Sequence, residues 1–176
     1  MTTGLIAALL AVTLTPTSTE VVIEKGACPT VRFAADELTN YLGRVLGAAV
    51  PLVHEPTDGK ASVILGDSAW SRATGLDAAN AGLDCFYTKA EGNRLYICGK
   101  DDPRFDLPAY VAKGGSYASL MYNERATVHG VYAFLETYAG VRFYWPDEEL
   151  GVVTPRTERI EIPDGCVKTA PKCTIR

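Results

Sequence analysis

The chain has 176 residues, 47% of them hydrophobic, and a formal net charge of −4 at neutral pH. That length is sufficient to bury a substantial core in one domain, and the composition is typical of a folded globular protein rather than a disordered one. The acidic balance and the lack of any basic block exclude the electrostatic surface that nucleic-acid binding requires. We therefore expect no nucleic-acid partner.

An apolar run covers residues 5–14, LIAALLAVTL, and a polar stretch follows it. The run is too short to span a bilayer as a helix, so no membrane span is predicted, but it has the length of a signal-peptide core. Residues 1–4 carry no Lys or Arg, which such a leader usually has. Two interpretations stay open: a leader over residues 1–19 of an exported protein, periplasmic or extracellular, or a buried first strand or helix.

The first regular elements follow at once. Residues Glu20–Lys25 are predicted to form a first strand, and Thr30–Leu46 has apolar side chains on one helical face. Pro29 suits the first helical turn and Gly47 suits the end of this helix. Two short strands and a weak helix are predicted next, at Ala48–Val53, Ser62–Leu65 and Ser68–Thr74.

A β-hairpin is predicted from Cys85–Glu91 and Arg94–Gly99, because the Gly92–Asn93 pair between them suits a two-residue turn. Alternation along these strands places two sets of side chains on opposite faces of the hairpin. One set is Phe86, Thr88, Ala90, Leu95 and Ile97, and the other is Tyr87, Tyr96, Cys85 and Cys98. We expect both faces to be at least partly covered.

The stretch from Asp101 to Tyr122 contains two prolines and a Gly-Gly pair, and it is predicted to be irregular. Loops of that length usually carry function or mobility. The next segment, Asn123–Pro146, predicts an amphipathic helix, a turn at Gly140, and an aromatic strand from Val141 to Trp145. Two short strands follow at Gly151–Thr154 and Arg159–Ile162, and residues 164–176 resemble a linker or truncated tail.

These elements predict an α+β domain in which a mixed β-sheet carries two main amphipathic helices. Four stretches of the sequence, in this order, resemble a known family: Phe33–Val53, Val63–Asp67, Gly92–Asp102 and Ala126–Pro146. The family is the N-terminal non-catalytic domain of α-glucuronidases and related bacterial proteins, which is similar to the second domain of family 20 β-hexosaminidases. The resemblance spans about residues 20–163, which is the predicted accessory domain.

The resemblance implies an α/β sandwich packed beside a (β/α)8 barrel in a polysaccharide-degrading enzyme. In those families the barrel supplies the catalytic groups, so the resemblance assigns no catalytic residue to this chain. The implied function is therefore that of a scaffold, with the catalytic barrel as its partner. A free-standing exported carbohydrate-binding module is the alternative.

The residues themselves favour no chemistry within the chain. The acidic clusters at Asp101–Asp102 and Asp147–Glu149 are predicted to be solvated turns, and His129 to be a hydrogen-bonded helix residue. The five cysteines form no CxxC pair, Cys85 and Cys98 are predicted to be buried thiols, and no phosphate-binding glycine motif occurs. We predict neither a metal nor a cofactor.

Aromatic side chains suggest the contact surfaces. Flat aromatic rings suit the apolar faces of pyranose sugars, although aromatics on an alternating strand more often belong to the core. The candidates for carbohydrate or interdomain contact are Tyr110, Tyr117, Tyr122, Arg142, Tyr144 and Trp145.

Overall fold

The computed structural model describes residues 11–114, 123–145, 147 and 150–171. The helices in these ranges are α1 (Pro29–Leu46), α2 (Ala69–Ala73), α3 (Leu107–Ala112) and α4 (Ala126–Thr137). The first five strands are β1 (Ala11–Leu14), β2 (Thr19–Val22), β3 (Leu52–Val53), β4 (Ala61–Leu65) and β5 (Phe86–Glu91). The remaining strands are β6 (Arg94–Gly99), β7 (Arg142–Phe143), β8 (Val152–Val153), β9 (Ile160–Pro163) and β10 (Gly165–Thr169).

The main sheet of the described chain has six strands in the order β10-β5-β6-β4-β2-β3. Strands β3, β2, β4 and β6 run parallel, whereas β5 and β10 are antiparallel to their neighbours. Two small antiparallel ladders, β1 with β9 and β7 with β8, lie outside this sheet. The predicted α+β class with a mixed sheet is confirmed.

Helices α1 and α4 contact each other and share one hydrophobic core with the sheet. The apolar face of α1 is buried, as is that of α4, and both belong to the cluster that contains Val63 and Ile97. The two predicted amphipathic helices are therefore the ones that cover the sheet. Each large side chain buried in this way stabilises the fold by about 1.5–3 kcal/mol.

The opposite face of the sheet has a second, smaller cluster, formed by Ile64, Tyr96 and Cys98 with residues of the segment after α2. Among them Leu76 and Ala78 are buried. The hairpin of β5 and β6 thus has apolar side chains on both faces, in the register that the sequence predicts: Thr88 lies opposite Ile97 and Ala90 opposite Leu95. No helix of the described ranges is long and apolar enough to cross a bilayer.

The start of α4 is fixed to the end of β6 by several polar contacts. The backbone N–H of Ala126 donates to the Lys100 carbonyl at 3.2 Å. The Thr127 hydroxyl accepts a bond from the Gly99 N–H at 3.3 Å. Asp101 accepts bonds from the backbone N–H of Thr127 at 3.1 Å and from its hydroxyl at 2.5 Å. These bonds satisfy helix N–H groups that would otherwise have no partner.

Several elements differ from the sequence expectations, among them the strand predicted over Ala48–Val53, which is confined to Leu52–Val53. The strand predicted over Val141–Trp145 is confined to Arg142–Phe143, since that is where it pairs with β8. Within the stretch predicted to be irregular, residues 107–112 form α3, whose first turn is capped by the Asp106 carboxylate at 3.0 Å from the Ala109 nitrogen. Residues 115–122 lie outside the described ranges.

Two further points concern the ends of the chain, where the interpretation of a buried first strand holds for residues 11–14 and the expected tail contains a strand. Residues 11–14 of the apolar run form β1, in which Val12 and Leu14 are fully buried and pair with β9. Residues 165–169 of the expected tail form the edge strand β10. The described sheets therefore extend on both sides of residues 20–163, while export of the protein stays a prediction.

The close approach of α4 to the sheet gives a prediction about Gly130. A Cβ atom at this position would lie 2.5 Å from Ile97 Cγ2 and 3.1 Å from the Phe86 ring. Alanine is favoured over glycine in a helix by about 1 kcal/mol, but overpacking a core costs about 1–3 kcal/mol. We expect Gly130→Ala to lower the free energy of unfolding, measured by urea denaturation followed by circular dichroism.

Gly43→Ala in α1 is the matched control. A Cβ atom there meets only the Ala48 carbonyl, at 3.5 Å, which is ordinary contact. This variant should be stabilised by up to about 1 kcal/mol, because helix propensity acts without a clash. If Gly130→Ala proved as stable as Gly43→Ala, the helix and sheet would not be packed as closely as described.

Candidate functional site

Two cavities lie at opposite ends of α4. The first, called here the strand-end crevice, encloses about 390 Å³ and is lined by residues that follow β2, β4 and β6, together with the start of α1. Its polar side chains include Glu24, Cys28, Asp67 and Asp101. Because β2 continues through α1 to β3 on one side and has β4 on the other, the strand order reverses here. Parallel sheets usually bind ligands at such a point.

The carboxylates of the strand-end crevice, however, are engaged in holding neighbouring elements. Glu24 accepts the Ala69 N–H of α2 at 2.6 Å, and Asp67 pairs with Arg72 at 3.0 Å. Asp101 caps α4 through the two bonds from Thr127. We find no group of three or more side chains placed to hold a metal ion among the described residues. These contacts give each acid a structural role.

Asp101 differs from its neighbour in a way that the sequence did not predict. Burial raises the pKa of Asp101 from 3.8 to about 6, and the bonds from Thr127 oppose that rise only in part. Asp102 accepts a bond from the Arg104 N–H at 2.9 Å, and Arg104 lowers the pKa of that carboxyl. The expectation of a solvated acidic pair is therefore wrong for Asp101, because its side chain turns inward to cap α4.

The cysteines in and near the sheet are also poorly suited to act as nucleophiles. Cys85 and Cys98 are buried, as predicted, and burial raises the pKa of the Cys98 thiol to about 12. Burial also raises the pKa of Cys28, which precedes α1. Thiols with raised pKa values carry little thiolate at neutral pH and are poor nucleophiles.

The second cavity, called here the aromatic groove, encloses about 580 Å³ between α1, α4 and the β7–β8 hairpin. Its lining consists of Tyr41, Tyr132, Glu136, Phe143, Tyr144, Trp145, Asp147 and Val152. Phe143 forms edge-to-face contacts with the rings of Tyr41 and Tyr132, at centroid distances of 5.2 and 5.1 Å. Such pairs add about 0.5–1.5 kcal/mol beyond the area they bury.

The rim of the aromatic groove is open to solvent. Tyr144 is 72% exposed and Trp145 is 71% exposed, so the interpretation of this aromatic strand as core is wrong for both residues. The physical reason is that both residues lie toward the tip of the short β7–β8 hairpin, where the Tyr144 N–H still donates to the Gly151 carbonyl at 2.7 Å. Phe143 packs inward, whereas the side chains of Tyr144 and Trp145 project into solvent.

Short backbone contacts shape the loop that carries Trp145. The Asp147 N–H donates to the Trp145 carbonyl at 2.8 Å, and the Gly151 N–H donates to the Asp147 carbonyl at 2.8 Å. The Asp147 carboxylate accepts the Leu150 N–H at 2.8 Å. A Cβ atom on Gly151 would lie 2.0 Å from the Trp145 carbonyl oxygen, so this position requires glycine.

The predicted contact residues do not gather in one place. Tyr144 and Trp145 line the aromatic groove, while Arg142 lies beside it and donates to the carbonyls of Glu136 at 2.6 Å and Val141 at 2.8 Å. Tyr110 lies on α3, half-buried against Phe105 at 5.5 Å between centroids, and belongs to the core rather than to the groove. Tyr117 and Tyr122 lie outside the described residues.

Sequence reasoning missed the helical half of the groove. Tyr41 and Tyr132 follow the apolar periodicity of their helices, which marks them as core, and Glu136 was not singled out. Glu136 lies four residues after Tyr132, so the two share one face of α4. The four-residue spacing of Tyr132 and Glu136, close to an aromatic strand in the sequence, is the signal that could have identified this side of the groove. Phe143, Val152 and Asp147 join the groove through the hairpin.

Comparison with known proteins gives structural likeness without close sequence relatives. No protein-family model matches the sequence, and no curated protein matches it. A solved family GH115 4-O-methyl-α-glucuronidase with specificity for decorated arabinogalactans superposes with a TM-score of 0.55 and 16% identity. A GH20 β-N-acetylhexosaminidase from Streptomyces coelicolor A3(2) gives the same TM-score with 11% identity.

The resemblance stated from the sequence is confirmed at the level of fold. These matches cover 90% and 93% of this chain but only 18% and 24% of the two enzymes. The chain thus spans less than a quarter of the length of either enzyme.

The raised pKa of Asp101 predicts how stability depends on pH. Ionised Asp101 is disfavoured in the fold, so its unfavourable contribution is absent below about pH 4, grows as the pH rises, and is complete above about pH 6. The total amounts to at most about 3 kcal/mol. We expect Asp101→Asn, which cannot ionise, to become more stable relative to wild type between pH 4 and pH 7, measured by urea denaturation.

Asp102→Asn is the control with the opposite sign. Arg104 lowers the pKa of the Asp102 carboxyl, so that group stabilises the fold at neutral pH and ceases to do so in acid. The difference in stability between this variant and wild type should therefore shrink as the pH falls. A pH-independent difference between Asp101→Asn and wild type would contradict the burial of the Asp101 carboxylate.

Proposed function

We propose that this chain is the accessory domain of a glycoside-hydrolase-like protein that acts on polysaccharide, and that it supplies scaffold and packing to a (β/α)8 catalytic barrel. The observation that carries the proposal is the coverage: nearly the whole of this chain corresponds in fold to a minor part of two carbohydrate-active enzymes. We expect a domain that corresponds to less than a quarter of such enzymes to contribute structure to a larger polypeptide.

The β7–β8 hairpin offers a surface for such a contact. Phe143 and Val152 lie opposite each other and face the aromatic groove, so Arg142 and Val153, the other pair of the ladder, face away from it. Val153 is 51% exposed and Leu150, at the tip, is 89% exposed. Contiguous exposed apolar surface marks sites of association, and these two side chains are three residues apart on the same arm of the hairpin. We assign this outer face of the hairpin to the contact with the barrel.

The reading frame after residue 176, together with the mass of the native protein, tests the proposal directly. We expect the frame to continue for several hundred residues with alternating strand and helix patterns, as a (β/α)8 barrel requires. A native polypeptide of 18.9 kDa, the mass of this chain, would overturn it.

In the parent protein, the double variant Leu150→Glu, Val153→Lys should weaken the interdomain contact. Each apolar side chain removed from an interface costs about 1–2 kcal/mol, so we expect cleavage of the interdomain linker in limited proteolysis to accelerate at least about fivefold. Val111→Lys is the control, because Val111 is 54% exposed but lies on α3. Equal acceleration by both variants would exclude the hairpin as the docking surface.

A further inference from the structure

The walls of the aromatic groove are fixed before any ligand arrives. Phe143 is held edge-to-face between Tyr41 and Tyr132. The Tyr132 hydroxyl donates to the Glu37 carboxylate at 2.5 Å, which ties the wall to α1. A site whose side chains are already ordered loses little conformational entropy when it binds.

The open side of the groove offers flat apolar surface that the fold itself leaves uncovered. The rings of Tyr144 and Trp145 project into solvent at its rim. Aromatic side chains with a polar tip, such as an indole N–H or a phenol O–H, suit ligands that are apolar on one face and polar at the edge. A pyranose ring has that character, with C–H groups on its faces and hydroxyls around it.

The polar groups of the groove favour a neutral ligand over a negatively charged one. Glu136 and Asp147 belong to the lining, and a carboxylate accepts strong hydrogen bonds from hydroxyl donors. The Asp147 carboxylate already accepts the Leu150 N–H at 2.8 Å, so Glu136 is the acceptor that the groove offers to a ligand. Among the described residues the lining contains no Lys, Arg or His. Of the nearby cations, Arg44 packs over the Tyr41 ring at 5.4 Å, and Arg142 directs its guanidinium to the Glu136 and Val141 carbonyls. A carboxylated sugar would meet two like charges with no cation among the lining residues.

We propose that the aromatic groove binds a neutral pyranose unit of a glycan, with Trp145 as the stacking platform and Glu136 as a hydroxyl acceptor. The volume of about 580 Å³ lies within the range of about 300–1,000 Å³ typical of small-ligand clefts. This inference rests on the proposed function for its ligand class, and it gives the domain a role in holding substrate beside a barrel. The groove uses the inner face of the hairpin, so binding and docking do not compete for the same side chains.

The two tryptophans of the chain allow a direct test with the 176-residue protein. Trp70 packs against the second cluster, on the opposite face of the sheet, so Trp70→Phe leaves Trp145 as the sole indole reporter. The probes are cellohexaose, xylohexaose and galactohexaose as neutral oligosaccharides, and hexagalacturonic acid as the charged comparison. Each is titrated to about 10 mM while the fluorescence of Trp145 is followed, which detects dissociation constants in the millimolar range.

We expect at least one neutral probe to change the emission of Trp145, with hexagalacturonic acid at least about tenfold weaker. Binding measured by calorimetry should be lost in Trp145→Ala and weakened roughly tenfold in Glu136→Gln, since a charge-assisted hydrogen bond is lost. Glu158→Gln, an exposed glutamate outside the groove lining, should bind as wild type. Circular dichroism of each variant verifies that it folds.

Three results would overturn the inference. The first is that no neutral probe perturbs Trp145, and the second is that hexagalacturonic acid binds as tightly as the neutral sugars. The third is a dimer in light scattering that Trp145→Ala converts to monomer, which would assign the groove to a second copy of the chain. Each leaves the docking of the outer hairpin face untouched, because that contact is measured in the parent protein with Leu150 and Val153.

Discussion

The close contact between α4 and the end of β6 is the constraint on which the rest of this structure depends. Gly99 and Gly130 allow it: a Cβ atom on Gly99 would lie 2.5 Å from Ala126 Cβ, and one on Gly130 would lie 2.5 Å from Ile97. Dispersion attraction falls off steeply with separation, so glycines at the interface permit contact that larger residues would prevent. Polar bonds from Thr127 to Asp101 then fix the start of the helix.

Because the start of α4 is fixed to the sheet, the positions of its C-terminal residues and of the following β7–β8 hairpin are fixed as well. The helix carries Tyr132 and Glu136 toward its C-terminal end, and Gly140, with φ of +70°, turns the chain back into β7. Phe143 then reaches Tyr41 on α1, and the β7–β8 hairpin closes over the gap between the two helices. The aromatic groove is therefore a consequence of helix placement, and at the other end of α4 the contacts that anchor the helix engage the Asp101 carboxylate of the strand-end crevice.

The difference between the two cavities illustrates how burial decides the role of similar side chains. Carboxylates line both, but those of the crevice accept bonds from the backbone of α2 and α4 or pair with Arg72, so their hydrogen-bonding capacity serves the fold. Glu136 is exposed at the groove, where its carboxylate faces solvent. Strand-end crevices commonly bind ligands, but in this chain the hydrogen bonds and the ion pair of the crevice carboxylates give those side chains a structural role instead.

The long helices, the β5–β6 hairpin with its two apolar faces, and the fold class were all predictable from the amino-acid sequence. Those features follow from local periodicity and turn chemistry, as Pro29, Gly47 and the Gly92 turn illustrate. Three features could be read only from the folded chain: β1 lies beside β9, Asp101 turns inward, and Trp145 is exposed while Phe143 packs against the core. The aromatic groove likewise joins Tyr41 to residues a hundred positions away. These features depend on how segments far apart in the sequence pack against each other. Local sequence periodicity does not specify that packing.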